Sequence, residues 1–133
     1  MADILRRERL VGVHTDLVRV VERAAELSSI LFIVTEGLRT LQRQKQLFAE
    51  GKSKTMNSRH LTGHAVDLAI WEDKDQDKVV DVDEINWKFP HYTALNDVMQ
   101  QAAQECGIHV EWGGDWVGFR DGPHWQLSWK EYP

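Results

Sequence analysis

Two short segments of this chain carry side chains able to do metal and proton chemistry. The first, Ser58-Arg59-His60-Leu61-Thr62-Gly63-His64-Ala65-Val66-Asp67, sets two imidazoles and a carboxylate at the mouth of an expected strand. Imidazole and carboxylate are zinc ligand types, and a hydrolytic zinc site uses three protein ligands with one position left open. His60, His64 and Asp67 are the candidates here, and a distant residue must complete the set. The second segment, Asp121-Gly122-Pro123-His124-Trp125, puts a turn-forming Gly-Pro pair between a carboxylate and an imidazole, so one turn can aim both at one ion. A carboxylate beside such an ion can take the proton of an attacking water and pass it to a leaving amine. Asp121 fits that role. His60 and His64 stand four apart, as in HExxH helices, but Gly63 and the absence of Glu after His60 argue against that arrangement and make His64 the weaker ligand.

A third cluster is purely acidic. Asp73, Asp75, Asp77, Asp81 and Glu84 fall at positions one, three, five, nine and twelve of an EF-hand-like loop, a spacing that suits Ca²⁺. Against it, Lys78 occupies the sixth position, where such loops want Gly, and no flanking helices are evident. A solvated hairpin explains the same run.

The elements that must position these residues are legible in outline. Leu17, Val20, Val21, Ala24 and Leu27 recur at helical spacing from Asp16 to Leu27, with charged residues between them. Ile30-Leu31-Phe32-Ile33-Val34 is apolar throughout, which predicts a central strand covered on both faces. A helix over Thr40 to Glu50 would carry Leu41, Gln44, Lys45 and Phe48 on one face and stop at Gly51. Residues Ala65 to Trp71 alternate as a strand, the acidic run follows as an insertion or hairpin, and Leu95, Val98, Met99, Ala102 and Cys106 mark a third helix from about Thr93, capped by Gly107. Two short strand candidates lie between Ile108 and Trp129. Helices and short strands mix without a βαβ repeat, so the expected class is α+β: one small domain over 1–133, about three helices, a short mainly antiparallel sheet and a zinc site at the sheet.

Composition narrows the partners. With 42% hydrophobic and 28% charged residues, the 133-residue chain is an ordinary folding sequence, long enough for one core. A net charge of −5 without a Lys/Arg cluster excludes the footprint of a nucleic-acid binder. Neither a signal-peptide stretch nor an apolar run of membrane-spanning length is present, so no membrane insertion is expected. The lone Cys106 cannot form an intrachain disulfide and reads as core. A monomer is the simplest expectation.

The segment SRHLTGHAVD resembles the SxHxxGxAxD motif of the D-alanyl-D-alanine carboxypeptidase and phage endolysin family of zinc peptidases, with Ser58, His60, Gly63, Ala65 and Asp67 all matching. Asp121 to Trp125 is similar to that family's carboxy-terminal (E/D)xxH(W/F) motif. The resemblance implies that His60, Asp67 and His124 bind zinc, that Asp121 is the catalytic base, and that His64 flanks the site. It extends to Glu36-Gly37-Leu38-Arg39-Thr40 with Gln44, and implies that Arg39 faces the substrate. Among family members, a short chain without an export segment or wall-binding domain is most similar to phage L-alanyl-D-glutamate endopeptidases. The implied substrate is the stem peptide of peptidoglycan, with the protein held in a host cytoplasm until a partner permeabilises the membrane and opens the periplasmic wall to it.

Three smaller expectations complete the reading. Arg39, Arg59 and Lys54 would form a positive patch for substrate carboxylates, although Arg59 fits a solvated loop equally well. Trp112, Trp116, Trp125 and Trp129 read as packing around the carboxy-terminal sheet, with Trp125 also walling the zinc site. A D-alanyl-D-alanine carboxypeptidase or dipeptidase, and a noncatalytic zinc-stabilised wall-binding module, are the competing functions.

Overall fold

Alternation along Ala65–Trp71 divides the molecule into two sides, because successive residues of a strand point to opposite faces. Val66, Leu68 and Ile70 point into the hydrophobic core, while Asp67 between them points the other way, into a cleft. The computed structural model describes residues 6–53, 55–56, 58–77 and 80–133. Among the described residues are three α-helices, α1 (Thr15–Leu27), α2 (Leu41–Ala49) and α3 (Phe89–Cys106), and five strands, β1 (Phe32–Glu36), β2 (Ala65–Trp71), β3 (Ile85–Asn86), β4 (Val110–Trp112) and β5 (His124–Leu127). The sheet runs β1-β2-β5-β4, with β3 paired to the far end of β2, and every pairing is antiparallel.

Helices α1 and α3 cover one face of the sheet. Leu17, Val20, Val21 and Ala24 of α1 meet Leu95, Met99, Ala102 and Ala103 of α3 over Phe32, Val34, Leu68, Trp125 and Leu127 in a single core. Tyr92 reaches into it with its polar end satisfied: its hydroxyl accepts from the Ile70 amide at 3.0 Å and donates to the Asn86 carbonyl at 2.7 Å. The opposite face of the sheet carries Glu36, Asp67, Glu111, His124 and Gln126, all of which line the cleft.

Most expected elements stand where the sequence puts them, and three differ. β1 begins at Phe32 rather than Ile30 and lies at a sheet edge, not at its centre. Its apolar run correctly reports that both faces are covered, since Ile33 is buried opposite Phe32 and Val34, but burial carries no information about lateral neighbours. In α2 the buried residues are Gln44 and Leu47, whereas Leu41 and Phe48 are about half exposed. Hydrophobicity misassigned that face because the residue it buries deepest is a glutamine. α3 starts at Phe89, so Pro90 lies inside its first turn, where a missing N–H costs nothing. The acidic run is indeed the connection of the β2–β3 hairpin, and no helix of the described residues is long and apolar enough to cross a membrane.

Candidate metal centre

Each functional side chain owes its place to a local feature. His60 sits in a 3₁₀ turn, Arg59–Thr62, capped at its start by the Ser58 hydroxyl, which accepts from the His60 amide, and at its end by Gly63 in the left-handed region at φ 77°. A side chain at Gly63 would also meet the Gly12 carbonyl oxygen at 2.3 Å, so this glycine of the motif is required twice over. Asp67 and His124 are cross-strand partners in the β2–β5 register, which fixes them side by side. Gly113 makes room for the Asp121–His124 turn: a Cβ there would lie 2.5 Å from the Asp121 carbonyl oxygen and 3.1 Å from the His124 Cβ.

The result is convergence on one oxygen. His60 Nε2 and His124 Nδ1 each lie 3.1 Å from Asp67 Oδ1. Behind each ring the second nitrogen faces an acceptor: His60 Nδ1 is 2.8 Å from the Gly37 carbonyl, and His124 Nε2 is 2.8 Å from Gln126 Oε1. Those contacts require a proton on the outer nitrogens, so in neutral rings the inner nitrogens turn lone pairs toward a carboxylate oxygen. Without an ion a proton on an inner nitrogen must be shared with the carboxylate; with one, three electron-pair donors converge on it, and the donor set therefore fits a metal ion.

The charges are arranged to match. Burial alone would raise the Asp67 carboxyl, but the His60 charge and hydrogen bonds with His124 and His60 outweigh it and hold the group well below the usual carboxylate range. Burial alone would lower His124, yet its hydrogen bond with Asp67 and that residue's charge raise it. Asp121 behaves oppositely to Asp67: burial and the Asp67 charge raise its carboxyl, with His124, His60 and Arg39 only partly opposing them. A carboxyl raised by burial beside a candidate metal-ligand set is suited to proton transfer.

Arg39 is held on the floor of the cleft. Its Nε donates to Glu36 Oε2 at 3.0 Å, Nη2 donates to Glu36 Oε1, and Nη1 donates to Gln44 Oε1 at 2.6 Å. Its Nη2 also lies 3.8 Å from Asp67 Oδ2, the oxygen turned away from the imidazoles. A register shift in β1 between Val34 and Glu36 brings Glu36, rather than Thr35, opposite Asp67 and completes this clamp.

Other expected residues fall elsewhere. His64 lies outside the cleft lining; its ring packs at 5.5 Å from that of His14 and 6.4 Å from that of Tyr132. Trp125 faces the helices and gives its Nε1 hydrogen to Asn96, so it belongs to the core and does not wall the site. Trp116 does, with its ring 4.9 Å from that of His124. Residue 125 points away because it alternates with His124, which faces the cleft. Arg59 does line the cleft, yet it is neither solvated nor free: it is buried under Trp129, 3.9 Å from the ring centroid, and donates to the Leu127 and Tyr132 carbonyls. Lys54 lies outside the described residues, and the exposed cations lining the cleft are instead Arg43 and Lys52. The cleft measures about 650 Å³, with Asp121, Trp116, Phe119 and Trp129 along its sides.

Sequence reasoning gave no role to Glu36, Glu111 or Gln126, and read Trp116 as packing around the carboxy-terminal sheet, whereas it lines the cleft. Period-2 alternation from His124 could have placed Gln126 on the same face; nothing local could have placed Glu111. In the acidic hairpin, Asp73, Asp75, Asp77 and Glu84 bring ligand atoms within 4.8 Å of one another, while Asp81 stands outside that group and donates its amide to Glu84 instead. Lys78, at the sixth loop position, lies outside the described residues.

Comparison with known proteins places the chain in a family. The family described as phage L-alanyl-D-glutamate peptidase matches residues 5–127. The chain belongs to this family. Within the phage peptidase family, it is 31% identical to the L-alanyl-D-glutamate peptidase of Escherichia phage T5, over 82% of this chain and 76% of that one. It is 32% identical to the L-alanyl-D-glutamate peptidase of Listeria phage A118 over 81% of its own length, and spans about a third, 34%, of that longer relative. The crystal structure of the Serratia marcescens L-Ala D-Glu endopeptidase ChiX superposes with a TM-score of 0.85 at 43% identity, covering 97% of this chain and 90% of that one.

Proposed function

We propose that the protein is a zinc peptidase that hydrolyses the L-alanyl-D-glutamate bond of peptidoglycan stem peptides. The observation carrying this reading is the convergence of His60 Nε2, His124 Nδ1 and Asp67 Oδ1 in a cleft that is also lined by the Asp121 carboxyl. Family membership supplies the bond class, through the phage peptidases and ChiX.

His60, Asp67 and His124 would hold Zn²⁺, whose chemistry here is Lewis-acid polarisation of the scissile carbonyl and of the attacking water. Asp121 accepts the water's proton as the tetrahedral species forms and returns it to the leaving amine. Arg39, fixed by Glu36 and Gln44, keeps Asp67 Oδ2 engaged so that Oδ1 faces the imidazoles, and adds positive charge for the developing oxyanion. Trp116 and Phe119 shield one side of the site from water, which strengthens each of these interactions.

A synthetic stem peptide tests the bond. The reading expects a new D-glutamyl amino terminus; release of terminal D-alanine alone would assign the protein to the carboxypeptidase branch. No cleavage, with zinc still bound, would favour a wall-binding module.

The same proposal includes a calcium ion in the β2–β3 connection. Four carboxylates gather there, and hydrogen bonding with Asp77 pushes the Asp75 carboxyl up to about 6, a crowding that a divalent cation would relieve. Glu84 ties the loop to the Trp71 end of β2 through the indole hydrogen bond, so an ordered loop would stiffen the strand carrying Asp67. Adding calcium to metal-stripped protein should raise its melting temperature; an unchanged value would remove calcium from the account.

A further inference from the structure

Glu111 stands directly opposite Gln126 in the β4–β5 register, and Gln126 follows His124 by two residues on β5, so the three side chains share the cleft face. A carboxylate accepts hydrogen bonds and cannot donate, whereas a carboxamide has one end of each kind. Gln126 gives Nε2 to Glu111 Oε1 at 3.2 Å. Its oxygen is thereby left for the ring, 2.8 Å from His124 Nε2. An accepting oxygen in that position needs a hydrogen on Nε2, and a neutral imidazole protonated there keeps its lone pair on Nδ1, the atom 3.1 Å from Asp67 Oδ1.

We propose that Glu111 and Gln126 are positioning residues that select the Nε2–H form of His124 and so make Nδ1 its metal-binding atom. The inference rests on the metal-centre reading above and adds how that centre is assembled. Three states are fixed in sequence: the carboxylate fixes the rotation of the amide, the amide fixes the tautomer, and the tautomer fixes which nitrogen faces the ion. The two imidazoles are thus held by different means. A main-chain carbonyl, Gly37, selects the form of His60, and no side-chain substitution deletes it. The form of His124 depends on side chains alone.

Burial makes the dependence strict. His124 and Gln126 are each 5% exposed, which leaves little room for water to replace a lost amide. Gln126→Leu keeps the approximate volume and removes the acceptor, freeing the ring to adopt either form. Outer partners of metal-bound histidines are worth tenfold to hundredfold in metal affinity, and a loss of that size is expected here. The exchange Glu111→Gln with Gln126→Glu should restore the chain, because the carboxylate now at 126 accepts from the ring while the amide at 111 donates to it.

The test compares wild type, Gln126→Leu and the exchange by zinc affinity in competition with a chelator, and by ring ¹⁵N shifts of His124 in metal-free protein at a pH high enough for the ring to be neutral. The proposal expects the His124 proton on Nε2 in wild type, tenfold to hundredfold weaker zinc binding by folded Gln126→Leu, and near wild-type affinity in the exchange. A merely structural role would lower the melting temperature of the leucine variant without changing the tautomer, and would not predict rescue. Folded Gln126→Leu binding zinc as tightly as wild type would overturn the proposal, as would an exchange no better than the leucine variant. If the leucine variant does not fold, the wild-type ¹⁵N shifts and the exchange decide. Wild type binding no zinc would overturn the metal-centre reading itself, while the position of the His124 proton would still decide the tautomer.

Discussion

At the scale of single residues, the site sets two carboxyls of the same type to opposite tasks. Asp67 is held ionised by two imidazoles and Arg39; Asp121 is buried beside Asp67 and raised. Asp121→Asn should therefore retain zinc and fold while losing about 10²- to 10⁴-fold in turnover, the usual range for removing a general base. Wild-type turnover in that variant would remove Asp121 from the mechanism. His60→Ala should lose the metal itself, read as zinc content after gel filtration. The pKa directions also give a stability profile for metal-free protein. Asp67, lowered on folding, stabilises above about pH 4 and loses that contribution as pH falls. His124, raised on folding, contributes fully below about pH 6.5 and loses its contribution as pH rises through its folded value. Chelated protein should thus show its His124- and Asp67-dependent stability between these limits, and zinc should extend it upward by replacing the proton. A melting temperature that responds identically to pH in wild type and His124→Asn would contradict this.

At the scale of elements, the cleft face is set by strand register and by one buried glutamine. Gln44 is fully buried; its Oε1 accepts from Arg39, and its Nε2 donates to Ser53 Oγ and to the Thr55 carbonyl, tying α2, the arginine and the following loop together. Gln44→Leu leaves those partners unsatisfied and should cost about 1–3 kcal/mol in urea unfolding, with a further fall in turnover as Arg39 loosens. A change within error of wild type would show that the network is dispensable. The sequence makes β2, α1 and the cap at Gly107 readable because each follows a regular period or a glycine with positive φ. The convergence of His60, Asp67 and His124 was readable because two motifs carry these residues. Less was readable where side-chain type and burial disagree, as at Gln44, or where the signal is lateral. The edge position of β1, and the pairing of Glu111 with Gln126 across strands joined by the 113–123 loop, are tertiary facts with no local trace.

At the scale of the whole molecule, the sheet acts as a partition. One face is sealed by α1 and α3, and the alternate residues of its strands build the candidate metal site on the other, so each inward core residue of β2 and β5 fixes the aim of a neighbouring cleft residue. Leu68→Ala, in the fully buried layer next to Asp67, should destabilise by about 2–5 kcal/mol and weaken zinc binding in the folded fraction, measured by urea unfolding and chelator competition. Metal-dependent cleavage at one bond is the property on which the proposed function stands or falls. Mass spectrometry of purified peptidoglycan digested by zinc-loaded protein, beside a chelated sample and His60→Ala, tests it. Soluble peptides with new D-glutamyl amino termini are expected from the loaded wild type only; the same peptides from the chelated sample, or loss of terminal D-alanine with the L-alanyl bond intact, would contradict it.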